Sequence, residues 1–238
     1  MPAVAIQFVK RILLPVAVLL LLMIALGLLV TKVWEDAWPF TVEDGVNRDF
    51  AGDRNGVGNG ISGFFSLVGS TPVIIGVTAV AAIILRLVLH RWREPLFLCA
   101  AVIAQALVFF FATLVIDRKR PDVSHMDKSP PTSSFPSGHT SAAFTLYAGL
   151  ALVLASVVRH TWLKALCWVL ILVPVAVAIA RLYRGMHHPS DVTASFLNGA
   201  ACVWIMSRGV LNRNVSWSRA VSHTGANRSG DVNGSTAN

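Results

Sequence analysis

Long apolar runs alternate with short polar segments along most of this chain. Six of them approach the roughly 20 residues that a helix needs to cross a bilayer. The sixth is the weakest because it contains Asn198, and the second possibly starts nearer Phe64. The pattern predicts an all-α, polytopic membrane bundle of six transmembrane helices, over residues 12–30, 72–89, 95–116, 140–158, 161–180 and 191–206.

The composition favours the same class of protein. Hydrophobic residues make up 55% of the 238 residues and charged residues only 13%, about half the charged share of a typical soluble domain. The first apolar run follows Lys10 and Arg11, as in a signal peptide. It is longer than a typical signal-peptide core and no small-residue cleavage site follows it, so we interpret it as a retained anchor.

Two further features bear on domain organisation. Residues 1–211 are predicted to form one membrane domain, and the basic segment 212–238, rich in Ser, Asn and Gly, a disordered cytoplasmic tail. Residues 34–62 are predicted to form a polar loop on the outer side. In that loop Val42, Val46 and Phe50 repeat at helical spacing, which a helix along the membrane surface, core packing or an irregular loop explains equally well.

The distribution of basic residues assigns an orientation to the bundle. Six spans place both termini on one side, which the positive-inside rule makes cytoplasmic. The bias is weak, since of the 20 Lys and Arg residues eleven fall inside and nine outside. Five of the nine lie at the outer ends of the third and fifth spans, where we expect an anion to bind. The alternative is that the orientation of the bundle is inverted and these five cations lie on the cytoplasmic side. These five are Arg118, Lys119, Arg120, Arg181 and Arg184.

Three polar clusters border these spans, and the alternation of span direction brings all three to one aqueous face. They are "IDRKRPD" (116–122), "FPSGHT" (135–140) and "ARLYRGMHHPSDV" (180–192). Arginine forks match the oxygens of phosphate. A helix amino terminus, such as the one opened by Ser137 and Gly138, also attracts anions. The clusters therefore predict a phosphate-binding site.

The histidines supply the reactive groups of that site. Asp191 follows His187 by four residues, so its carboxylate is expected to fix the tautomer of that imidazole and make it a better nucleophile. His139 is placed to protonate a leaving oxygen. This pattern suggests hydrolysis through a phosphohistidine. We interpret His188 as a polar cap, and a zinc site is disfavoured because the nearby cations oppose a dication.

The three motifs resemble the signature of the type 2 phosphatidate phosphatase, or lipid phosphate phosphatase, superfamily. The matching residues are Arg120-Pro121, Pro136–His139, and Arg181, His187 and Asp191 at their spacing. The resemblance implies that His187 is the nucleophile, that Asp191 orients it and that His139 protonates the leaving group. It also implies that Arg120, Arg181, Ser137 and the Gly138 amide bind the phosphoryl oxygens, and that no metal or other cofactor takes part.

The chain departs from the family pattern at two positions. The lysine that usually opens the first motif, seven residues before Arg120, is replaced by Thr113, and the serine before Arg181 by Ala180. Arg118 or Lys119 is expected to supply the missing positive charge. We therefore count Arg118 among the candidate phosphate ligands.

The resemblance implies a membrane-bound phosphatase in the plasma membrane, with its active site on the extracytoplasmic face. We expect a lipid phosphate or diphosphate as substrate, with undecaprenyl diphosphate first and phosphatidate or phosphatidylglycerophosphate next. A lipid phosphotransferase and a non-catalytic lipid-binding or transport protein stay open as alternatives. The expected partners are the lipid substrate and the bilayer, with no nucleic acid, and the sequence makes no prediction of oligomeric state.

Overall fold

The computed structural model describes residues 2–34, 36–128 and 132–211. Within these ranges the chain forms helices joined by loops, without strands; the loop over residues 116–137 connects the third and fourth spanning helices. Six of the helices, all except α2 and α3, are long and apolar enough to cross a membrane, which confirms the predicted six-span, all-α bundle. The helices are α1 (Ala5–Val33), α2 (Glu43–Gly52), α3 (Gly56–Val68), α4 (Thr71–Leu89), α5 (Arg93–Val115), α6 (Gly138–Val157), α7 (Thr161–Tyr183) and α8 (Pro189–Leu211).

The helix limits differ from the sequence prediction in physically simple ways. The first helix begins at Ala5, well before the apolar run, because Gln7, Lys10 and Arg11 do not break a helix. The second span does not start near Phe64, which lies in the separate helix α3. A break at Gly69 and Ser70 separates the two helices, and α4 starts at Thr71 with Pro72 in its first turn, where proline is tolerated.

The segment predicted as a polar loop, 34–62, contains helical structure. A short 3₁₀ turn over Phe40–Val42 leads into α2, so the helical spacing of Val42, Val46 and Phe50 does mark a helix. Phe50 packs edge-on against the ring of Tyr183, with ring centroids 6.4 Å apart. This contact holds α2 over the end of α7.

Helix α6 lies at the centre of the bundle and packs against α5, α7 and α8. Small residues allow the close approach: a Cβ at Gly199 of α8 would lie 3.1 Å from the Ser141 carbonyl oxygen of α6. Asn198, the polar residue that weakened the sixth apolar run, is fully buried and donates to Ser141 Oγ at 2.9 Å. A hydrogen bond to a neighbouring helix therefore explains this residue inside the bundle. The predicted tail, 212–238, lies outside the described residues.

Candidate active site

The ends of α5 and α7 and the starts of α6 and α8 meet at one end of the bundle. Between them lies a cavity of about 800 Å³. Of the predicted site residues, Arg120, Gly138, His139, Arg181 and His187 line this cavity. The structure thus brings together residues from all three sequence clusters, as the alternation of the spans required.

The start of α6 shapes one wall of the cavity. Ser137 caps the helix: its Oγ lies 3.0 Å from Thr140 Oγ1 and accepts from the Thr140 amide at 3.4 Å. A Cβ at Gly138 would lie 2.9 Å from the ring of Phe109, so only glycine lets the helix terminus pack this closely on α5. Ser137 is buried and does not line the cavity among the described residues, whereas Gly138 and His139 do.

A tight turn between α7 and α8 delivers His187. Gly185 has a φ of 71°, in the left-handed region that favours glycine. A Cβ there would lie 2.6 Å from Val123 Cγ2, so the turn also packs against the loop that connects α5 and α6. Met186 follows, fully buried, and its carbonyl oxygen accepts from Arg120 Nη1 at 2.7 Å.

The imidazole of His187 is oriented by a backbone carbonyl. Its Nδ1 donates to the Ser134 carbonyl oxygen at 2.7 Å, which leaves the lone pair on Nε2. Asp191 Oδ2 lies 3.9 Å from the same Nδ1, beyond hydrogen-bond distance. Burial, and then the positive charge of Arg181, lower the pKa of His187 well below 6.5, although Asp191 acts in the opposite direction. His187 is therefore neutral at physiological pH.

Asp191 acts on His187 less directly than the spacing suggested. Its Oδ2 accepts from the amide of His188 at 2.8 Å and lies 3.3 Å from His188 Nδ1, so the two residues form a capping box at the start of α8. This agrees with the interpretation of His188 as a polar cap. Asp191 thus holds the backbone next to His187, while Ser134 holds the ring.

Arg118 belongs to a polar network outside the cavity, which we call the Arg118 cluster: Arg118, Asp191, Glu43 and Ser190. Nη1 of Arg118 donates to Ser190 Oγ at 2.7 Å and to Asp191, and Nη2 donates to Glu43 Oε2 at 2.7 Å. Glu43 also accepts from the Ser190 amide at 2.7 Å. Because carboxylates and a hydroxyl occupy both Nη atoms, the structure lends no support to Arg118 as a phosphate ligand.

Arg181 belongs to a second network, the Arg181 cluster: Arg181, Arg184, Asp127 and Ser66. Nη1 of Arg181 donates to Asp127 Oδ2 at 2.6 Å and to Ser66 Oγ at 2.7 Å. Arg184 donates to Asp127 Oδ1 through Nη2 at 2.7 Å and through Nε at 3.0 Å. Burial alone would raise the pKa of Asp127, but the hydrogen bond from Arg184 and the charge of Arg181 lower it to about 2. Asp127 is therefore ionised at all working pH values.

One donor of Arg181, its Nε, has no hydrogen-bond partner in the part of the chain that the structure describes. Arg181 is 3% exposed, and its Nε is buried without a hydrogen bond to any described residue. A buried charged donor that is left unpaired costs free energy. Because Arg181 lines the cavity, this atom is a candidate donor to a bound anion.

The cavity is open toward the apolar surface of the bundle. Leu67, Ile75 and Ile103 line it and are more than half exposed. They lie at the end of α3 and on the spanning helices α4 and α5, where exposed apolar side chains face the acyl chains of the bilayer. A lipid can therefore reach the cavity from the membrane.

Arg120 separates this cavity from a second one of about 680 Å³. Arg120 lines both cavities. Charged and polar residues dominate the second cavity, where Lys32, Glu43, Arg118 and Asp122 lie. Like Arg118, Lys119 lines the second cavity and is not among the described residues that line the first. Neither of the two residues expected to replace the missing lysine therefore lines the first cavity. At the position of that lysine, Thr113 donates to the Phe110 carbonyl of its own helix at 2.8 Å.

Four functional positions escaped the sequence analysis: Ser66, Asp127, Ser134 and Glu43. Each contacts a predicted site residue from a distant part of the chain; Glu43, for example, is 75 residues from Arg118. None carries a local signal, because an isolated polar residue in a loop or at a helix end is common. Among the described residues, no group of three or more His, Cys, Asp or Glu side chains is arranged to hold a metal ion.

A cavity at one end of a bundle of spanning helices, lined by two histidines and two arginines, is the arrangement expected of a membrane enzyme that binds a phosphate group. The family model of the PAP2 superfamily matches residues 94–214, just over half of the chain. The chain therefore belongs to the PAP2 superfamily, and the resemblance drawn from its three motifs is confirmed. No curated protein matches the sequence.

The fold is shared with solved structures. A transmembrane PAP2-type phosphatidylglycerolphosphate phosphatase from Bacillus subtilis superposes with a TM-score of 0.68 and 19% identity, over 81% of this chain and 94% of that one. LpxE from Aquifex aeolicus superposes with a TM-score of 0.55 and 24% identity, over 71% of this chain and 97% of that one. Both comparisons show that the fold of this chain is shared.

Proposed function

We propose that this protein hydrolyses a lipid diphosphate, with undecaprenyl diphosphate as the leading candidate, through a phosphohistidine and without a metal. Membership of the PAP2 superfamily supports a membrane lipid phosphatase in general. One observation carries the mechanism: the unpartnered Nε of Arg181 belongs to the wall of a cavity that His139 and His187 also line. That cavity combines an anion donor, a neutral nucleophile and an acid.

In the first step, Nε2 of His187 attacks phosphorus while the bond between phosphorus and the leaving oxygen breaks. The leaving oxygen takes a proton from the His139 imidazolium, and the phosphoryl group remains on His187. The Ser134 carbonyl oxygen accepts a hydrogen bond from Nδ1–H of His187 at 2.7 Å, which stabilises the positive charge that forms on the ring. In the second step, His139 removes a proton from water, the water oxygen bonds to phosphorus, and the bond to His187 breaks. Inorganic phosphate leaves.

Three groups stabilise the charge on the phosphoryl oxygens in this proposal. Arg181 donates through its free Nε, Arg120 through the donors that Met186 does not use, and α6 through its amino terminus at Gly138. Ser137 supports the site as the helix cap. Arg118 is a positioning residue that holds Asp191, and thereby the start of α8, against Glu43.

We place the site on the extracytoplasmic face of the plasma membrane, with both termini in the cytoplasm. The support is the charge distribution at the site end of the bundle. An anion accounts for four of the nine cations there, because they belong to the cavity wall or the Arg181 cluster: Arg120, Lys128, Arg181 and Arg184. The opening beside Leu67, Ile75 and Ile103 supports a lipid substrate.

The decisive experiment is a phosphate-release assay on purified protein in detergent or nanodiscs. The substrates are a prenyl diphosphate, phosphatidate and phosphatidylglycerophosphate. We expect release that vanadate inhibits and EDTA does not, and its loss in His187→Ala. His160→Ala is the matched control, because His160 is exposed and precedes α7 at the opposite end of the bundle. Strong inhibition by EDTA would contradict the metal-free mechanism.

Phosphatidylglycerophosphate is the second candidate substrate, because one of the similar structures is that of a phosphatidylglycerolphosphate phosphatase. The same assay decides between the two through the ratio of kcat/KM values. Transfer of a labelled phosphoryl group to an added alcohol instead of water would identify a phosphotransferase. If the protein bound these lipids but released phosphate from none of them, it would be a lipid-binding protein.

A further inference from the structure

The cavity wall carries four charged side chains besides the histidines: Arg120, Arg181, Asp127 and Lys128. The first three have partners within the protein, since Arg120 binds the Met186 carbonyl and Arg181 is paired with Asp127. Lys128 is exposed and makes no hydrogen bond or ion pair with any described residue. Of the cations that line the cavity, the Lys128 ammonium is therefore the one most available to bind a ligand.

The backbone beside Lys128 is held firmly at the cavity wall. The amide of Met126 donates to the Arg184 carbonyl at 3.1 Å, and Arg184 Nη2 donates to the Met126 carbonyl at 3.2 Å. Asp127 is fixed by its contacts with Arg181, Arg184 and Ser66. Lys128 thus has a fixed point of attachment and a free charged end, as a residue that binds a ligand requires.

The charge of the site determines what Lys128 can bind. A phosphate monoester carries about −1.5 to −2 charges at pH 7, which the two arginines Arg120 and Arg181 can balance. A diphosphate adds a second phosphate with further negative charge. A compact ammonium is well suited to bind it as a point charge.

We propose that Lys128 binds the phosphate that stays on the lipid when a diphosphate is cleaved, and so selects lipid diphosphates over monophosphates. This inference rests on the proposed function. When His187 attacks the terminal phosphorus, the bond from that phosphorus to the bridging oxygen breaks and the lipid monophosphate leaves. Negative charge builds up on this leaving phosphate, and Lys128 stabilises it.

The test compares two substrates that differ by one phosphate, farnesyl diphosphate and farnesyl monophosphate. We expect Lys128→Gln to lower kcat/KM by about tenfold for the diphosphate, the effect of one charge-assisted hydrogen bond. For the monophosphate the change should stay within about twofold. Lys128→Arg keeps the charge and should restore most of the diphosphate activity. Lys119→Gln is the matched control, since Lys119 is also exposed but does not line this cavity among the described residues.

The other outcomes overturn the inference. An equal loss on both substrates would mean that Lys128 acts on the reacting phosphoryl group or on the fold. No loss on either would mean that its ammonium binds no substrate. A wild-type protein that cleaves the monophosphate but not the diphosphate would overturn the selectivity and leave the phosphatase activity standing. Wild-type protein that cleaves neither lipid would overturn the proposed function and this inference with it.

Discussion

Arg118 and Arg181 lie at the same end of the bundle, and both were predicted to bind phosphate, yet their surroundings are opposite in charge. In the Arg118 cluster one guanidinium faces two carboxylates, Asp191 and Glu43. In the Arg181 cluster two guanidinium groups share one carboxylate, that of Asp127. The first cluster has an excess of negative charge and the second an excess of positive charge.

This difference assigns different tasks to the two arginines. In the proposed mechanism the Arg181 cluster attracts an anion, since Arg181 lines the cavity and its Nε has no partner among the described residues. The Arg118 cluster repels an anion and instead ties α2 and the end of α5 to the start of α8. An arginine near an active site therefore binds substrate only if its neighbouring carboxylates leave charge and donors free.

Removing the charge of Arg181 should have the largest effect. We expect Arg181→Gln to lower kcat/KM by roughly 10²–10³-fold, because a preorganised donor to the developing negative charge is lost. Steady-state kinetics with the best lipid substrate measures this. Arg181→Lys, which keeps the charge without Nε, should recover only part of the rate; full activity in Arg181→Gln would refute the assignment of this arginine to phosphate.

Arg118→Gln should act mainly on stability. The substitution leaves Asp191 and Glu43 buried without their cation, which typically costs about 3–5 kcal/mol, so a clear fall in Tm is expected. The double variant with Glu43→Gln should be more stable than the sum of the two single changes predicts. Thermal unfolding in detergent measures both effects. A normal Tm together with a loss of kcat/KM as large as that of Arg181→Gln would instead make Arg118 a phosphate ligand.

Asp127→Asn separates orientation from charge in the Arg181 cluster. The amide oxygen of the new side chain can still accept a hydrogen bond from Arg181, but it holds the guanidinium in place less firmly than the carboxylate does. We therefore expect kcat to fall by about tenfold. KM should not rise, because the site becomes more positive. Since the pKa of Asp127 is about 2, the difference from wild type should be the same at every pH from 5 to 8. A rise in KM with unchanged kcat would show that Asp127 contacts the substrate.

The smallest expected effect is the response of the rate to mild acid. Because the pKa of His187 lies well below 6.5, the nucleophile stays neutral. We therefore expect protonation of His187 to lower kcat/KM less than about twofold between pH 7 and 5.5, while protonation of the acid His139 acts in the opposite direction. An ordinary histidine would cause a fall of about eightfold over the same range. A pH–rate profile distinguishes the two outcomes.

The lowered pKa of His187 also determines how the stability of the protein depends on pH. His187 binds a proton more weakly in the folded protein than in the unfolded chain. Below pH 6.5 the unfolded chain takes up that proton first, so the free energy of unfolding should decrease as the pH falls from 6.5 toward the lowered folded-state pKa. Thermal unfolding of His187→Ala, compared with wild type over this range, isolates the contribution.

The sequence alone determined which segments form the spanning helices and which polar clusters lie at the same end of the bundle. An apolar run of about 20 residues has few alternatives to a spanning helix, so the six spans were predictable within a few residues, apart from the extension of the first and last helices. Since successive spans reverse direction, the clusters around Arg120, His139 and His187 had to share one face. The three motifs also sufficed to predict the family.

Only the tertiary structure decided which polar atoms pair within that face. The partners of Arg118, Arg181 and His187 include Glu43, Asp127 and Ser134, which come from other segments and have no spacing that a sequence pattern can reveal. Hydrophobic burial is additive along a chain and can be read locally. A hydrogen bond instead depends on tenths of an ångström between atoms far apart in the sequence, and these distances exist only after the helices have packed.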